Sequence, residues 1–351
     1  MAFPRILLIL LVKTIRFLAN TLAPLILRYI YRNPPYPATR TLQIHSTLLP
    51  STPTTLTLHI YQPRNFLSKH SSPLPCIINF HGGGFVIGNP TDDSLWCHTI
   101  STLQNCIVIS ASYRLAPEYP FPTGPYDACD VLLYVFSHAQ DLGIDVENIV
   151  LSGFSAGGSL CFGVALLLQE LKEKGVVRNS LLNIKGIIAW YPGLDSTITR
   201  AEKRMRMKYP HLSLPSWLTT IFDASYKPEY LNIDRRHKLL SAGIQDREVL
   251  EKALPRKIRI VTCEYDMLCR EAEDFVRRLE GWGWRVDLEC VRGVRHGWDK
   301  FPRASPDPRL FYGRAGDWLR REVWGEVGDG DGDGDGEGEG RGRGGGGILN
   351  D

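Results

Sequence analysis

Ile149-Val150-Leu151-Ser152-Gly153-Phe154-Ser155-Ala156-Gly157-Gly158-Ser159-Leu160 is the stretch whose reading decides the fold of this chain. An apolar strand pattern runs into it, and an apolar helical pattern, Leu160 to Leu171, runs out. Ser155 therefore sits where a strand turns sharply into a helix. Glycine two before and two after the serine suits such a turn, because larger side chains there would collide with the neighbouring strand and helix. The first N–H groups of the following helix aim at the same point and favour negative charge. Ser155 is accordingly a candidate nucleophile.

Upstream, the strand Ile77-Ile78-Asn79-Phe80 ends in His81-Gly82-Gly83-Gly84-Phe85. Three consecutive glycines bare backbone N–H groups, which an oxyanion formed from a carbonyl requires; Gly83 and Gly84, with Ala156 after the serine, are the expected donors. Downstream, the strand Lys257 to Thr262 ends in Cys263-Glu264-Tyr265-Asp266, and the strand Arg285 to Cys290 is followed by a loop containing His296-Gly297-Trp298. A serine hydroxyl needs a base to take its proton, and the base needs an acid to orient it. Ser155, Asp266 and His296 follow in the chain order serine, acid, histidine, each just past a strand end. Glu264 is the alternative acid.

Strand patterns fall at 41–49, 54–61, 75–80, 106–112, 148–152, 184–190, 257–262 and 285–290, and helix patterns at 93–104, 125–139, 156–173, 268–281 and 309–322. The alternation from residue 75 onward predicts an α/β fold, a parallel sheet with helices on both faces whose ligands bind beyond the carboxyl ends of the strands. Residues 193 to about 250 interrupt it with a charged, aromatic, partly helical segment, expected to lie over the strand ends as a lid.

HGGG at 81–84, YRLAPE at 113–118, GFSAGG at 153–158, EYDML at 264–268 and HGW at 296–298 together resemble the hormone-sensitive-lipase family, the fold-3 carboxylesterases of the α/β-hydrolases. The resemblance covers about residues 45 to 322. It implies an α/β-hydrolase fold: an eight-stranded, mostly parallel sheet, a helical cap made of the N-terminal segment and the insertion, and cofactor-free hydrolysis of short- to medium-chain carboxylic esters through an acyl-serine, while the aromatic, apolar lid itself points to a hydrophobic acyl or aryl ester. By the same resemblance His81, Tyr113 and Glu118 support the site and Asp127 is structural. Two positions depart from the family pattern: Phe154 stands where Asp is common, and Arg270 where an acid is often found. The first is expected to change the hydrogen bonds around the serine turn, the second the charge near Asp266. Acyl transfer or elimination on the same triad, and a non-catalytic ligand-binding role, are the alternative functions.

Residues 1–32 form a separate apolar, basic unit. No Asp or Glu precedes Asp92, whereas Arg5, Lys13, Arg16, Arg28 and Arg32 do. On a helix Arg5, Lys13, Arg16 and Asn20 occupy about 80° of arc and the rest is greasy. Two readings stand side by side: a helix that caps the site of its own domain, and one that lies on a membrane surface with its basic residues against anionic lipid. A true span would place Lys13 and Arg16 near its centre and Pro24 within it. Residues 33–324 then form the catalytic domain, with Asn33-Pro-Pro-Tyr-Pro as the linker into it. Residues 325–351, an Asp/Gly, Glu/Gly and Arg/Gly repeat as far as Gly347, have almost no apolar side chains to order them by burial and read as a disordered tail. A net charge of +3 is too small to call for nucleic acid, and no Cys/His spacing suggests a metal, so the expected partners are a small ester and, through residues 1–32, a membrane surface. Eight thinly spread cysteines read as free thiols in a reducing compartment, hence an intracellular chain, cytoplasmic or attached to a membrane surface. The sequence leaves the oligomeric state open.

Overall fold

In a computed structural model, residues 5–29, 35–64, 66, 72–178, 182–301 and 303–325 are described. Eight strands form one sheet in the order β1-β2-β4-β3-β5-β6-β7-β8: β1 (Arg40–His45), β2 (Thr55–Tyr61), β3 (Leu74–Phe80), β4 (Ile107–Ala111), β5 (Ile144–Phe154), β6 (Gly186–Trp190), β7 (Lys257–Tyr265) and β8 (Val286–Arg295). β2 runs antiparallel to β1 and β4, and all other pairs are parallel.

Side chains alternate between the two faces of the central strands, so each strand feeds two cores. Ile78, Ile109, Leu151, Ile187 and Ile260 join one core; Ile77, Val108, Val150, Ile188 and Val261 join the other. Because both faces are covered, β4 and β6 are buried throughout and read as continuous apolar runs. The first core is covered by α3 (Thr123–Ser137), α5 (Ala156–Glu173), α8 (Arg247–Ala253) and α9 (Cys269–Gly281). The second is covered by α2 (Ser94–Leu103) and α10 (Pro308–Trp318). A four-residue helix, α4 (Ala139–Leu142), leads into β5. Every strand and helix expected from residue 41 onward is present, displaced by a few residues at its ends.

Two differences matter. β7 and β8 extend beyond their apolar patterns to Tyr265 and Arg295, which pair across a bulge between Cys263 and Tyr265. Asp266 and His296, the next residue on each strand, therefore emerge side by side. The second concerns α1 (Arg5–Tyr29), which covers the middle of residues 1–32. Its polar arc does not face outward as a unit: Arg16 turns onto the protein while most large apolar side chains face away from it. No helix among the described residues is long and apolar enough to cross a membrane. Between β6 and β7 lie α6 (Arg200–Met205) and α7 (Ser216–Tyr226), and Ile221 and Phe222 of α7 join the first core with Leu8 and Val12 of α1. The expected tail from residue 326 onward, and Asn33 and Pro34 of the expected linker, lie outside the described residues.

Candidate active site

The strand-to-helix turn holds Ser155 at φ 53° and ψ −112°, a backbone conformation that costs an L-residue free energy and that the surroundings must enforce. They do so by close approach. A Cβ on Gly157 would sit 1.9 Å from the Phe80 carbonyl oxygen, and one on Gly153 2.3 Å from the Gly157 backbone. β3, β5 and α5 thus meet with no room for a methyl group, and Ser155 N donates to Trp190 O at 2.8 Å to tie the turn to β6.

Three expected residues converge there. Ser155 Oγ lies 2.8 Å from His296 Nε2, and His296 Nδ1 lies 2.6 Å from Asp266 Oδ2. The other Asp266 oxygen accepts from Leu268 N at 3.1 Å, and both side chains are nearly buried. Tyr191 packs its ring edge-on against the imidazole, centroids 4.8 Å apart. Burial and then the Asp299 carboxylate push the Tyr191 phenol well above its ordinary range, so it donates to Asp299 Oδ1 at 2.5 Å. Glu264 points elsewhere: it accepts from Gly293 N at 2.7 Å and faces Arg292 at 3.7 Å, fixing the turn in β8.

Gly83 and Gly84 adopt φ of 110° and 62°, which turns the loop back so that Val86 N and Ile87 N both donate to Gly83 O at 3.0 Å. Among the described residues no acceptor takes the N–H of Gly83 or Gly84, and Ala156 N, first in α5, has no partner within the helix. His81 is buried beneath this loop, stacked on Tyr113 at 4.4 Å, and Tyr113 Oη donates to His81 O at 2.9 Å. Glu118 is joined to the segment after the glycine loop through Arg16. Arg16 of α1 donates to both its oxygens at 3.0 Å, and also to Val86 O at 2.7 Å and to Ala116 O. Asp127 is structural, accepting from Arg114 at 2.6 Å in a buried pair.

Phe154 is buried flat against Trp190, centroids 5.4 Å apart, with Trp96 and Tyr312 edge-on. Lys300 Nζ sits 3.3 Å from the centroid of its ring, 2.7 Å from Asp93 Oδ1 and 2.8 Å from Asp299 Oδ2. Burial alone would lower this ammonium's pKa, but Asp299 and Asp93 hold it above its ordinary value. Asn79 Nδ2 donates to Asp93 at 2.8 Å and Tyr312 to Asp299 at 2.7 Å, so one network joins β3, α2 and the histidine loop. This network, Tyr191 and Arg16 are absent from the motif reading. The network's members lie some two hundred residues apart in sequence and share no spacing. Arg16 had a signal, since it continues the i, i+4 stripe of Leu8 and Val12. Arg270 faces solvent beside Asp274 at 3.5 Å.

Ser155 and His296 open on a cavity of about 640 Å³ lined on one side by Ile198, Leu214, Leu218, Phe222, Leu239 and Leu268. Phe222 of α7 lies against the glycine loop, where a Cβ on Gly84 would meet its ring at 2.3 Å. Of the charged groups that line it, Lys203 pairs with Glu271, and Arg200 and Lys227 pair with Asp223 at 3.0 and 3.2 Å. Burial raises the Glu271 carboxyl and lowers the Lys227 ammonium. Among the described residues no cluster of His, Cys, Asp and Glu is arranged to hold a metal.

The profile of the alpha/beta hydrolase fold matches residues 77–300, more than half of the chain. The chain belongs to the α/β-hydrolase family. Within it the chain falls in the hormone-sensitive-lipase-like fold-3 group. It is similar to lipase 2 of Moraxella sp. (strain TA144), 29% identical over 69% of this chain and 59% of the relative, so the match spans under two thirds of that protein. The arylesterase of Saccharolobus solfataricus is 28% identical over 74% of this chain and 78% of its own. Among solved structures, the Pyrobaculum calidifontis esterase superposes with a TM-score of 0.71 at 27% identity, over 89% of this chain and 94% of that one.

Proposed function

We propose that this chain is a serine carboxylesterase that hydrolyses short- to medium-chain or aryl esters through an acyl-serine intermediate. The observation that carries the reading is the unbroken line Asp266 Oδ2, His296 Nδ1, His296 Nε2, Ser155 Oγ, with separations of 2.6 and 2.8 Å, facing an apolar cavity.

Ser155 Oγ attacks the ester carbonyl carbon while its proton passes to His296 Nε2, and Asp266 orients the imidazole and stabilises its cation. The carbonyl oxygen, now anionic, takes hydrogen bonds from Gly83, Gly84 and Ala156, each donor contributing about 3–4 kcal/mol to the transition state. Collapse breaks the bond to the alkoxy oxygen, which leaves as the alcohol with the proton from His296. Water then attacks the acyl-serine, His296 takes its proton, and the acid departs as Ser155 recovers its hydrogen. α1 and residues 193–250 act as the cap, closing an apolar space over the acyl group. His81 and Tyr113 support the glycine loop from below.

Release of p-nitrophenol from esters of graded acyl length, with and without an added acceptor alcohol, tests this. The reading expects turnover with native chain, none with Ser155→Ala, and a free acid as the product. Accumulation of the transferred ester in place of acid would assign acyl transfer, and absence of turnover across the series would remove the esterase reading.

A further inference from the structure

α1 is fastened by a narrow stripe. Leu8 and Val12 sink into the core and Arg16 is tied to Glu118, while Ile6, Leu7, Leu10, Phe17, Leu18 and Leu22 are 45–73% exposed. At 100° per residue those six span about 160° of the helix circumference, roughly opposite the stripe. Single exposed leucines are ordinary, but six on one helix side make a contiguous apolar face of the kind that marks an interaction surface.

Charge decides what covers it. The helix carries Arg5, Lys13 and Arg28 besides Arg16, and no acid occurs before Asp92. A second copy seated on this face would bring cation against cation with nothing in α1 to neutralise them. We propose that the outer face of α1 docks on the surface of an anionic lipid bilayer, its apolar residues at the acyl boundary and its basic residues among the headgroups. Exposed aromatics, which favour that depth, stand close by: Arg5 lies over the half-exposed ring of Tyr230 at 5.7 Å, and α7, which touches α1, bears Trp217 at 61% exposure. Ala19 and Asn20 of the same helix line the cavity in front of Ser155. Docking brings this cavity within about one helix diameter, roughly 10–12 Å, of the bilayer and, resting on the esterase reading, gives it esters that partition there.

Co-sedimentation of the full chain with vesicles of phosphatidylcholine alone, and of phosphatidylcholine mixed with phosphatidylglycerol, tests the docking without reference to catalysis. Binding to the anionic vesicles should exceed that to neutral ones by at least about tenfold and weaken with salt. Leu7→Ser, Leu10→Ser and Phe17→Ser combined should reduce it to the neutral level while p-nitrophenyl acetate hydrolysis persists. Lys13→Glu, a single change at an exposed position, should reduce it as well. The proposal is overturned if native chain stays in solution with both vesicles, or if the variants pellet as it does. It is also overturned if light scattering without lipid shows a native dimer that the triple variant splits, since the face would then be an interface between copies.

Discussion

Lys300 stands over the face of Phe154, its ammonium 3.3 Å from the ring centroid and braced by Asp93 and Asp299. Phe154 precedes the serine, Asp93 immediately precedes α2, and Asp299 follows the histidine by three residues, so one cation joins the three segments around the site. A ring with its negative face toward an ammonium contributes on the order of 1–2 kcal/mol when partly desolvated. That contact accounts for a phenylalanine at the position before the nucleophile.

Replacing Lys300 by Met should therefore cost about 2–4 kcal/mol, somewhat under the range for a fully buried pair because the lysine side chain keeps 28% exposure. The dependence on pH has a definite sign. Lys300 has its folded pKa raised, so its contribution is fully present below the unfolded value of about 10.4 and is lost as pH rises through the folded one. Denaturant unfolding of native chain and variant should show a constant gap from neutral to mildly alkaline pH that narrows above about pH 10.4. A gap independent of pH would assign the loss to packing.

Asp266→Asn keeps the size of the proposed triad acid but removes its charge and its claim on the histidine proton. A fall in kcat of about 10³–10⁴ with KM little changed is expected from steady-state kinetics. Glu264→Gln, at the alternative acid, should leave kcat within a few-fold, because Glu264 serves Gly293 in place of the imidazole.

At Gly83 an added methyl group would lie 2.1 Å from the Ile87 carbonyl oxygen, in a backbone conformation that disfavours any side chain. Gly83→Ala should displace the proposed donor and lower kcat by about 10²–10³. Circular dichroism unchanged from native chain would separate this from unfolding.

The Arg16–Glu118 pair is half-buried, and breaking it should loosen α1 without touching the triad. Glu118→Gln is expected to cost about 1–3 kcal/mol of local stability, read as faster amide hydrogen exchange through residues 8–20 and little change elsewhere. Uniform protection would mean that Leu8 and Val12 suffice.

What was legible in the sequence follows from the range of the signals. The sheet was legible because strands buried on both faces must be apolar throughout, and the serine turn because close approach demands glycine in fixed positions. Asp266 and His296 were legible from their place after strands, although their side-by-side emergence depends on β7 and β8 extending into Cys263–Tyr265 and Val291–Arg295, which lack an apolar pattern. The Lys300 network was hidden because ion pairs between distant segments leave no periodicity. The Arg16–Glu118 pair is not legible, because helical arc alone does not say which side of the helix finds a partner.

The central claim is that the Ser155 hydroxyl is activated, and covalent labelling with a fluorophosphonate measures this most directly. Native chain should carry one phosphonyl group, located by peptide mass spectrometry on the peptide containing Ser155, and labelling should slow by orders of magnitude in His296→Ala. Labelling absent from Ser155, or equally fast without the histidine, would contradict the account.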